Sequence, residues 1–96
     1  MNGRMNESVL DGVPRLPPGC RLNEAGTAED LLLIPEGALR LKGPGRAIVE
    51  LCDGSRTVRG IADELARRYS ADPARVESDV VAMLARLAER GALEYV

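Results

Sequence analysis

The sequence predicts a small α+β domain, in which an antiparallel three-stranded sheet is followed by a three-helix bundle. An apolar run at residues 31–34 breaks at Pro35 and resumes as alternation over residues 38–42, which is typical of a β-hairpin. Beyond residue 43, apolar side chains recur at spacings of three and four, which indicates amphipathic helices. A chain of 96 residues suits one domain with one core.

The sheet is predicted from three short segments. Residues 20–23 suit a first strand, and a polar loop separates them from the apolar strand at residues 31–34. Pro35 and Gly37 then supply a fixed φ and a permitted positive φ, as a tight turn requires. The strand at residues 38–42 alternates apolar with polar side chains, so one face is buried and the other solvated. As the outer strand of a meander, it leaves backbone N–H and C=O groups unpaired along its edge.

Each of the three helices has a recognisable start. Pro44 suits the first residue of a helix that Asp53-Gly54 ends, and Thr57 suits the N-cap of the second. Asp72 caps the third helix, which has Pro73 in its first turn and stops at Gly91. The C-terminal segment, residues 92–96, is either a brief strand or a segment held by packing alone.

The glycines and prolines of residues 1–19 predict a flexible N-terminal arm without regular structure, so the domain proper spans residues 20–96. No apolar run approaches the roughly 18 residues of a membrane span, and the first residues lack the apolar core of a signal peptide. The expected location is the cytoplasm, with no membrane partner.

Composition argues against catalysis and against a cofactor or metal. The chain has no histidine, and its closest carboxylate groups, Asp63-Glu64 and Glu77 with Asp79, fall on the solvated faces of predicted helices. Cys20 and Cys52 match neither a CxxC motif nor zinc spacing. We interpret both as reduced thiols in preference to a disulfide.

The order of elements outlines a winged helix-turn-helix, a fold in which the third helix commonly reads DNA. Here the N-terminal part of that helix carries Asp72, Glu77 and Asp79 against Arg75, and the formal net charge of the chain is -2. Phosphate would be repelled, so nucleic acid is not the favoured partner, although a winged-helix DNA-binding protein remains an alternative. The exposed strand edge favours addition of a peptide as an extra strand. Self-pairing of that edge in a homodimer is a further alternative.

Three segments together resemble the PqqD family of pyrroloquinoline quinone (PQQ) biosynthesis. They are "LLLIPEGALRL", "AIVELCDGSRTVRGIADELARRY" and "ESDVVAMLARLAERGAL", and the similarity runs from about residue 20 to residue 93. The signature positions are Pro35, Glu36, Gly37, Cys52, Asp53 and Gly54.

The resemblance implies a non-catalytic peptide chaperone, a RiPP recognition element. Such a protein binds the ribosomally made precursor peptide PqqA as an added strand and presents it to PqqE, a radical S-adenosylmethionine enzyme. A recognition domain for another ribosomal peptide is the alternative within the family. The implied peptide-binding residues are Ala38, Leu39, Arg40, Leu41, Lys42, Arg75, Val76, Asp79, Val80 and Met83.

Overall fold

The computed structural model describes residues 9–96 and has the predicted α+β architecture. Its strands are β1 (Pro14–Arg15), β2 (Arg21–Leu22), β3 (Asp30–Ile34), β4 (Gly37–Leu41) and β5 (Glu94–Tyr95). Its helices are α1 (Gly45–Glu50), α2 (Val58–Arg68) and α3 (Pro73–Glu89). A helical turn at residues 9–11 precedes β1. The predicted small antiparallel sheet followed by three helices is therefore confirmed.

The central sheet has the order β2-β3-β4, with both pairs antiparallel. A two-residue turn places Ile34 opposite Gly37 and Asp30 opposite Leu41. Gly37 has a φ of 153°, which a side chain would strain. Because β4 pairs with β3 on one side only, it forms an edge of this sheet, as the meander predicts.

The helix starts follow the local signals closely. The Thr57 hydroxyl accepts a hydrogen bond from the Gly60 N–H at 3.0 Å, and a carboxylate oxygen of Asp72 accepts one from the Ala74 N–H at 3.2 Å. Both predicted N-caps are confirmed. Pro44, predicted as the first helical residue, is instead the N-cap of α1 and has no side-chain cap bond.

The hydrophobic core lies where α2 and α3 pack on each other and on one face of the sheet. Its fully buried side chains include Leu32 of β3, Ile61 of α2 and Val80 of α3, each with 0% of its surface exposed. Ile48 of α1 is 2% exposed and joins the same cluster. The core is aliphatic, as the scarcity of aromatic residues requires.

The prediction that residues 1–19 lack regular structure is wrong for their C-terminal part. Pro14 pairs with Tyr95 and Arg15 with Glu94, so β1 and β5 form a second, two-stranded sheet. The Gly12 carbonyl also accepts a hydrogen bond from the Val58 N–H at 2.9 Å. Proline and glycine density therefore misled the prediction, because this segment is held by partners distant in sequence. Residues 1–8 lie outside the described part.

Cys20 and Cys52 are both free thiols. Within residues 9–96, no group of three or more acidic, histidine or cysteine side chains is placed to hold a metal ion. No helix in that range is long and apolar enough to cross a membrane.

Candidate functional site

The free edge of β4 exposes the backbone of alternate residues. Both the C=O and the N–H of Leu31 are directed to Asn23, away from β4: the carbonyl accepts from the Asn23 N–H, and the amide donates to the Asn23 side chain. Leu31 and Arg40 are therefore a non-hydrogen-bonded pair, and the alternation of an antiparallel ladder extends this to Leu33 and Ala38. Ala38 and Arg40 consequently direct their N–H and C=O groups to the edge that no strand within residues 9–96 occupies.

Lys42 was predicted as part of this strand, but β4 ends at Leu41. The Lys42 carbonyl accepts a hydrogen bond from the Gly45 N–H at 3.0 Å, within the turn that leads into α1. That carbonyl is already occupied, so the edge available to an added strand ends one residue earlier than expected.

The side chains of β4 alternate between the two faces of the sheet. Leu39 is half-buried and Leu41 is buried, whereas Ala38 and Arg40 are exposed. Arg40 forms an ion pair with Glu29, with 3.1 Å between its Nε and a carboxylate oxygen. Arg40 is thus tied to its own sheet through its side chain, while its backbone faces the free edge.

Three recesses that share lining residues follow one another from β4 along one side of α3, and together we call them the groove. The strand recess has a volume of about 230 Å³. It lies between residues 39–41 of β4 and the C-terminal end of α3, where it is lined by Met83, Arg86, Leu87 and Arg90. The middle recess, about 250 Å³, shares Met83 and Arg86 with it and adds Lys42 and Asp79. The apolar recess, about 240 Å³, shares Pro44, Ile48 and Asp79 with the middle recess.

The floor of this groove depends on a glycine that the sequence did not single out. A Cβ on Gly45 would stand 2.5 Å from the Cε of Met83 and 3.2 Å from the Cβ of Leu41. The missing side chain leaves room for Met83, which is 7% exposed and lines both the strand and the middle recess.

The structure distributes the predicted helix residues along the groove. Met83 faces β4, and Asp79 lies at the junction of the middle and apolar recesses. Arg75 and Val76 line the apolar recess, at the end away from the strand. Val80 is fully buried, so it contributes to the recess only as part of its floor.

Sequence reasoning missed Arg86 and Leu87 of α3 and its C-cap residue Arg90, all beside β4, and it missed Tyr69 at the apolar recess. The signal for the helix residues was present. Positions 79, 83, 86 and 90 follow one another at spacings of four, three and four, so they share one helix face.

The basic side chains at the strand end of the groove lack acidic partners. Among residues 9–96, no carboxylate lies within ion-pair distance of Lys42, Arg86 or Arg90. All three are exposed. The groove therefore has a positive end beside β4, although the formal net charge of the chain is -2.

The signature residues Asp53 and Gly54 stabilise the turn that follows α1 and connect it to β1. The Asp53 carboxylate accepts hydrogen bonds from the Ser55 hydroxyl at 2.6 Å and the Ser55 N–H at 3.0 Å, and these bonds lower the pKa of Asp53. Gly54, with a φ of 82°, donates its N–H to the Pro14 carbonyl and so connects this turn to β1. Burial, with a smaller effect from Asp53, raises the pKa of the Cys52 thiol to about 12, which makes it a packing residue rather than a nucleophile.

Comparison with known proteins identifies the family of this chain. The family model of PqqD, Coenzyme PQQ synthesis protein D, matches residues 29–93, which is well over half of the chain. The chain belongs to the PqqD family. The sequence resemblance is therefore confirmed.

Two relatives and one solved structure illustrate the family. The chain is 42% identical over 81 residues to a PqqA binding protein of Rhodopseudomonas palustris, covering 83% of this chain and 79% of the relative. It is 43% identical over 83 residues to the bifunctional coenzyme PQQ synthesis protein C/D of Methylorubrum extorquens, covering 85% of this chain but only 22% of that larger protein.

The solution NMR structure of the PqqD truncation of Methylobacterium extorquens PqqCD superposes with a TM-score of 0.73 at 43% identity. The match covers 85% of this chain and 88% of the truncation. That truncation is described as a functional and stand-alone RiPP recognition element. The PqqD fold of this chain thus matches one that is known to stand alone.

Proposed function

We propose that this chain is a non-catalytic peptide chaperone of PQQ biosynthesis that binds PqqA as a strand added to β4 and presents it to PqqE. Relatives that this chain covers over most of their length are named for binding PqqA. The observation that carries the proposal is the outward backbone of Ala38 and Arg40, at a free strand edge beside the groove.

Strand addition explains how a small surface holds an extended peptide. The main-chain groups of Ala38 and Arg40 supply hydrogen bonds that do not depend on the peptide's sequence. The recesses beside α3 receive alternate side chains of the added strand and supply the selectivity. Holding PqqA near PqqE then raises its effective concentration there without any chemistry by this chain.

The direct test replaces outward-facing donors of β4 with proline. Arg40→Pro removes one N–H that would bond to the peptide, and the proline ring also crowds the incoming strand. One lost hydrogen bond is worth about 0.5–1.5 kcal/mol, so with crowding we expect the affinity for PqqA to fall by roughly tenfold or more. Isothermal titration calorimetry of the full chain measures it.

Arg40→Ala is the matched control, since it also removes the side chain and the Glu29 ion pair but keeps the N–H. Its affinity should stay within about threefold of the original, because exposed ion pairs contribute roughly 0–1 kcal/mol. Ala38→Pro tests the second outward donor independently. Unchanged affinity in both proline variants, with circular dichroism showing intact folds, would refute strand addition.

Presentation to PqqE needs its own assay. We expect PqqA modification by PqqE to be faster with the chain than without it, and Arg40→Pro to remove the gain. Duplex DNA binding that weakens steeply with salt would instead support the DNA-binding alternative. Sedimentation with and without PqqA would reveal a homodimer in which β4 pairs with itself.

A further inference from the structure

The groove continues beyond the end of β4, and the extension differs in chemistry from the strand recess. The apolar recess lies between the start of α1, the end of α2 and the start of α3, where Ile48, Leu65 and Val80 form a buried apolar floor. Its volume of about 240 Å³ is below the roughly 300–1,000 Å³ of small-molecule sites, so it suits one side chain better than a cofactor.

An exposed aromatic residue marks the rim of this recess. Tyr69 is 56% exposed and is the one exposed large hydrophobic side chain, within residues 9–96, that lines the groove. Aromatic rings with a polar edge are enriched where a ligand packs against a protein surface. The polar side chains at this recess are those of Tyr69 itself, Arg75 and Asp79, which leaves its interior to apolar contact.

The opposite end of the groove has the reverse character. Arg86 and Arg90 line the strand recess without an acidic partner among the described residues, and Lys42 lies in the adjoining middle recess. Asp79, the acidic residue of the groove, is about 10 Å away from Arg86 along α3, since seven residues separate them at roughly 1.5 Å each. An acidic side chain would therefore be attracted to the Arg86 end, whereas Arg75 and Asp79 at the apolar recess offset each other's formal charge.

The length of α3 sets the distance between the two ends. The midpoint of Arg86 and Arg90 is ten residues from the midpoint of Val76 and Val80, which corresponds to about 15 Å of helix. An extended peptide advances roughly 3.3 Å per residue, so it spans this distance in about four or five residues. Two peptide side chains, one at each end of this distance, both point toward α3 only if they are an even number of residues apart. The spacing that fits is therefore four.

We infer that the groove selects, in the extended peptide it binds, one acidic side chain at Arg86 and Arg90 and one large apolar side chain in the apolar recess, four residues apart. The inference rests on the proposed function, because it specifies the chemistry of that peptide. The paired part of the peptide carries the acidic residue, and the part that extends past Lys42 carries the apolar anchor.

The test uses the full chain with synthetic PqqA as the probe, by isothermal titration calorimetry. Arg86→Glu with Arg90→Glu should weaken binding by about tenfold or more, and higher salt should weaken the original protein's binding in the same direction. Arg56→Glu, which alters an exposed arginine outside the groove, should change the affinity less than about threefold.

The apolar end is tested with the two tyrosines of the chain. Tyr69→Ala should lower the affinity by about fivefold or more, whereas Tyr95→Ala, exposed at the other sheet, should leave it nearly unchanged. An alanine scan of PqqA on the unaltered protein locates the acidic and apolar positions and does not depend on any variant folding. Changing the acidic residue to lysine should restore binding to the Arg86→Glu, Arg90→Glu protein.

Spacing gives the sharpest outcome. PqqA variants with one residue inserted or deleted between the two positions should bind more weakly, because one side chain then faces away from α3. If PqqA binds but neither protein variant differs from its control, or the scan finds no such pair, the inference is wrong and the proposed function stands. If PqqA does not bind at all, both are wrong.

Discussion

Arg46 provides a test of what holds α1, and with it one wall of the groove, against the sheet. Its side chain is 17% exposed. The guanidinium donates from Nη1 to the Asn23 side-chain oxygen at 2.8 Å and from Nη2 to the Asn23 carbonyl at 2.5 Å. Nη1 also donates to a carboxylate oxygen of Asp30 at 3.3 Å, and Nε stands 3.4 Å from a Glu50 oxygen without a hydrogen bond.

Replacing Arg46 with alanine removes two short charge-assisted bonds from a half-buried site. At the lower end of roughly 1.5–3 kcal/mol each, the loss is about 3 kcal/mol in the free energy of unfolding. For a domain of this size, each kcal/mol shifts the melting temperature by about 4–8 °C, so we expect a decrease of roughly 12–24 °C. Arg46→Lys should lose about half as much, since lysine keeps the charge but not the planar fork.

Urea denaturation followed by circular dichroism measures the change in the free energy of unfolding. The m-value should be the same in the original protein and the variant, so that a shifted midpoint reports a change in stability. The control is Arg67→Ala on α2, where an exposed side chain pairs with Glu64 three residues earlier. It should cost no more than about 0.5 kcal/mol. A loss for Arg46→Ala that matched this control would refute the view that Arg46 anchors α1.

Three further outcomes follow from packing. Ile61→Ala should destabilise the fold by about 2–5 kcal/mol in the same assay, because this α2 side chain is fully buried, and a loss under 1 kcal/mol would contradict the packing described. Gly45→Ala should lower the free energy of unfolding by about 1–3 kcal/mol and weaken PqqA binding, because the added methyl group displaces Met83 at the groove floor. An increase in stability, as Gly→Ala usually gives in a helix, would contradict this. At about pH 8, iodoacetamide should modify Cys20 much faster than Cys52, because the native fold buries Cys52 and raises its pKa to about 12. Equal rates of modification, measured by mass spectrometry, would contradict the burial of Cys52.

The part of the fold that could be predicted is the part specified by local chemistry. Thr57 and Asp72 cap helices through atoms within three residues of themselves, so their signals need no tertiary context. The hairpin turn is equally local, since Pro35 and Gly37 carry the required backbone preferences. Of the candidate site, the β4 edge followed from strand order, and the structure places Met83 and Asp79, two of the predicted peptide-binding residues, along the groove.

The missed features all depend on contacts between distant parts of the chain. A two-residue strand such as β1 has no periodicity to detect, and it exists because β5 lies beside it, 79 residues later in the case of Arg15 and Glu94. The role of Arg46 was hidden for the same reason, because its partner Asn23 precedes it by 23 residues.

The sequence by itself determined the class of the fold, the starts of α2 and α3, the hairpin and the family, because capping, turn and periodicity preferences act over a few residues. The tertiary structure alone decided which backbone groups of β4 face outward. Whether the even-numbered or the odd-numbered residues of β4 do so follows from the hydrogen bonds between Leu31 and Asn23. The tertiary structure also decided that Arg86 and Arg90 border the strand while Tyr69 borders the far recess, because the angle at which α3 crosses the sheet is set by packing of the whole core.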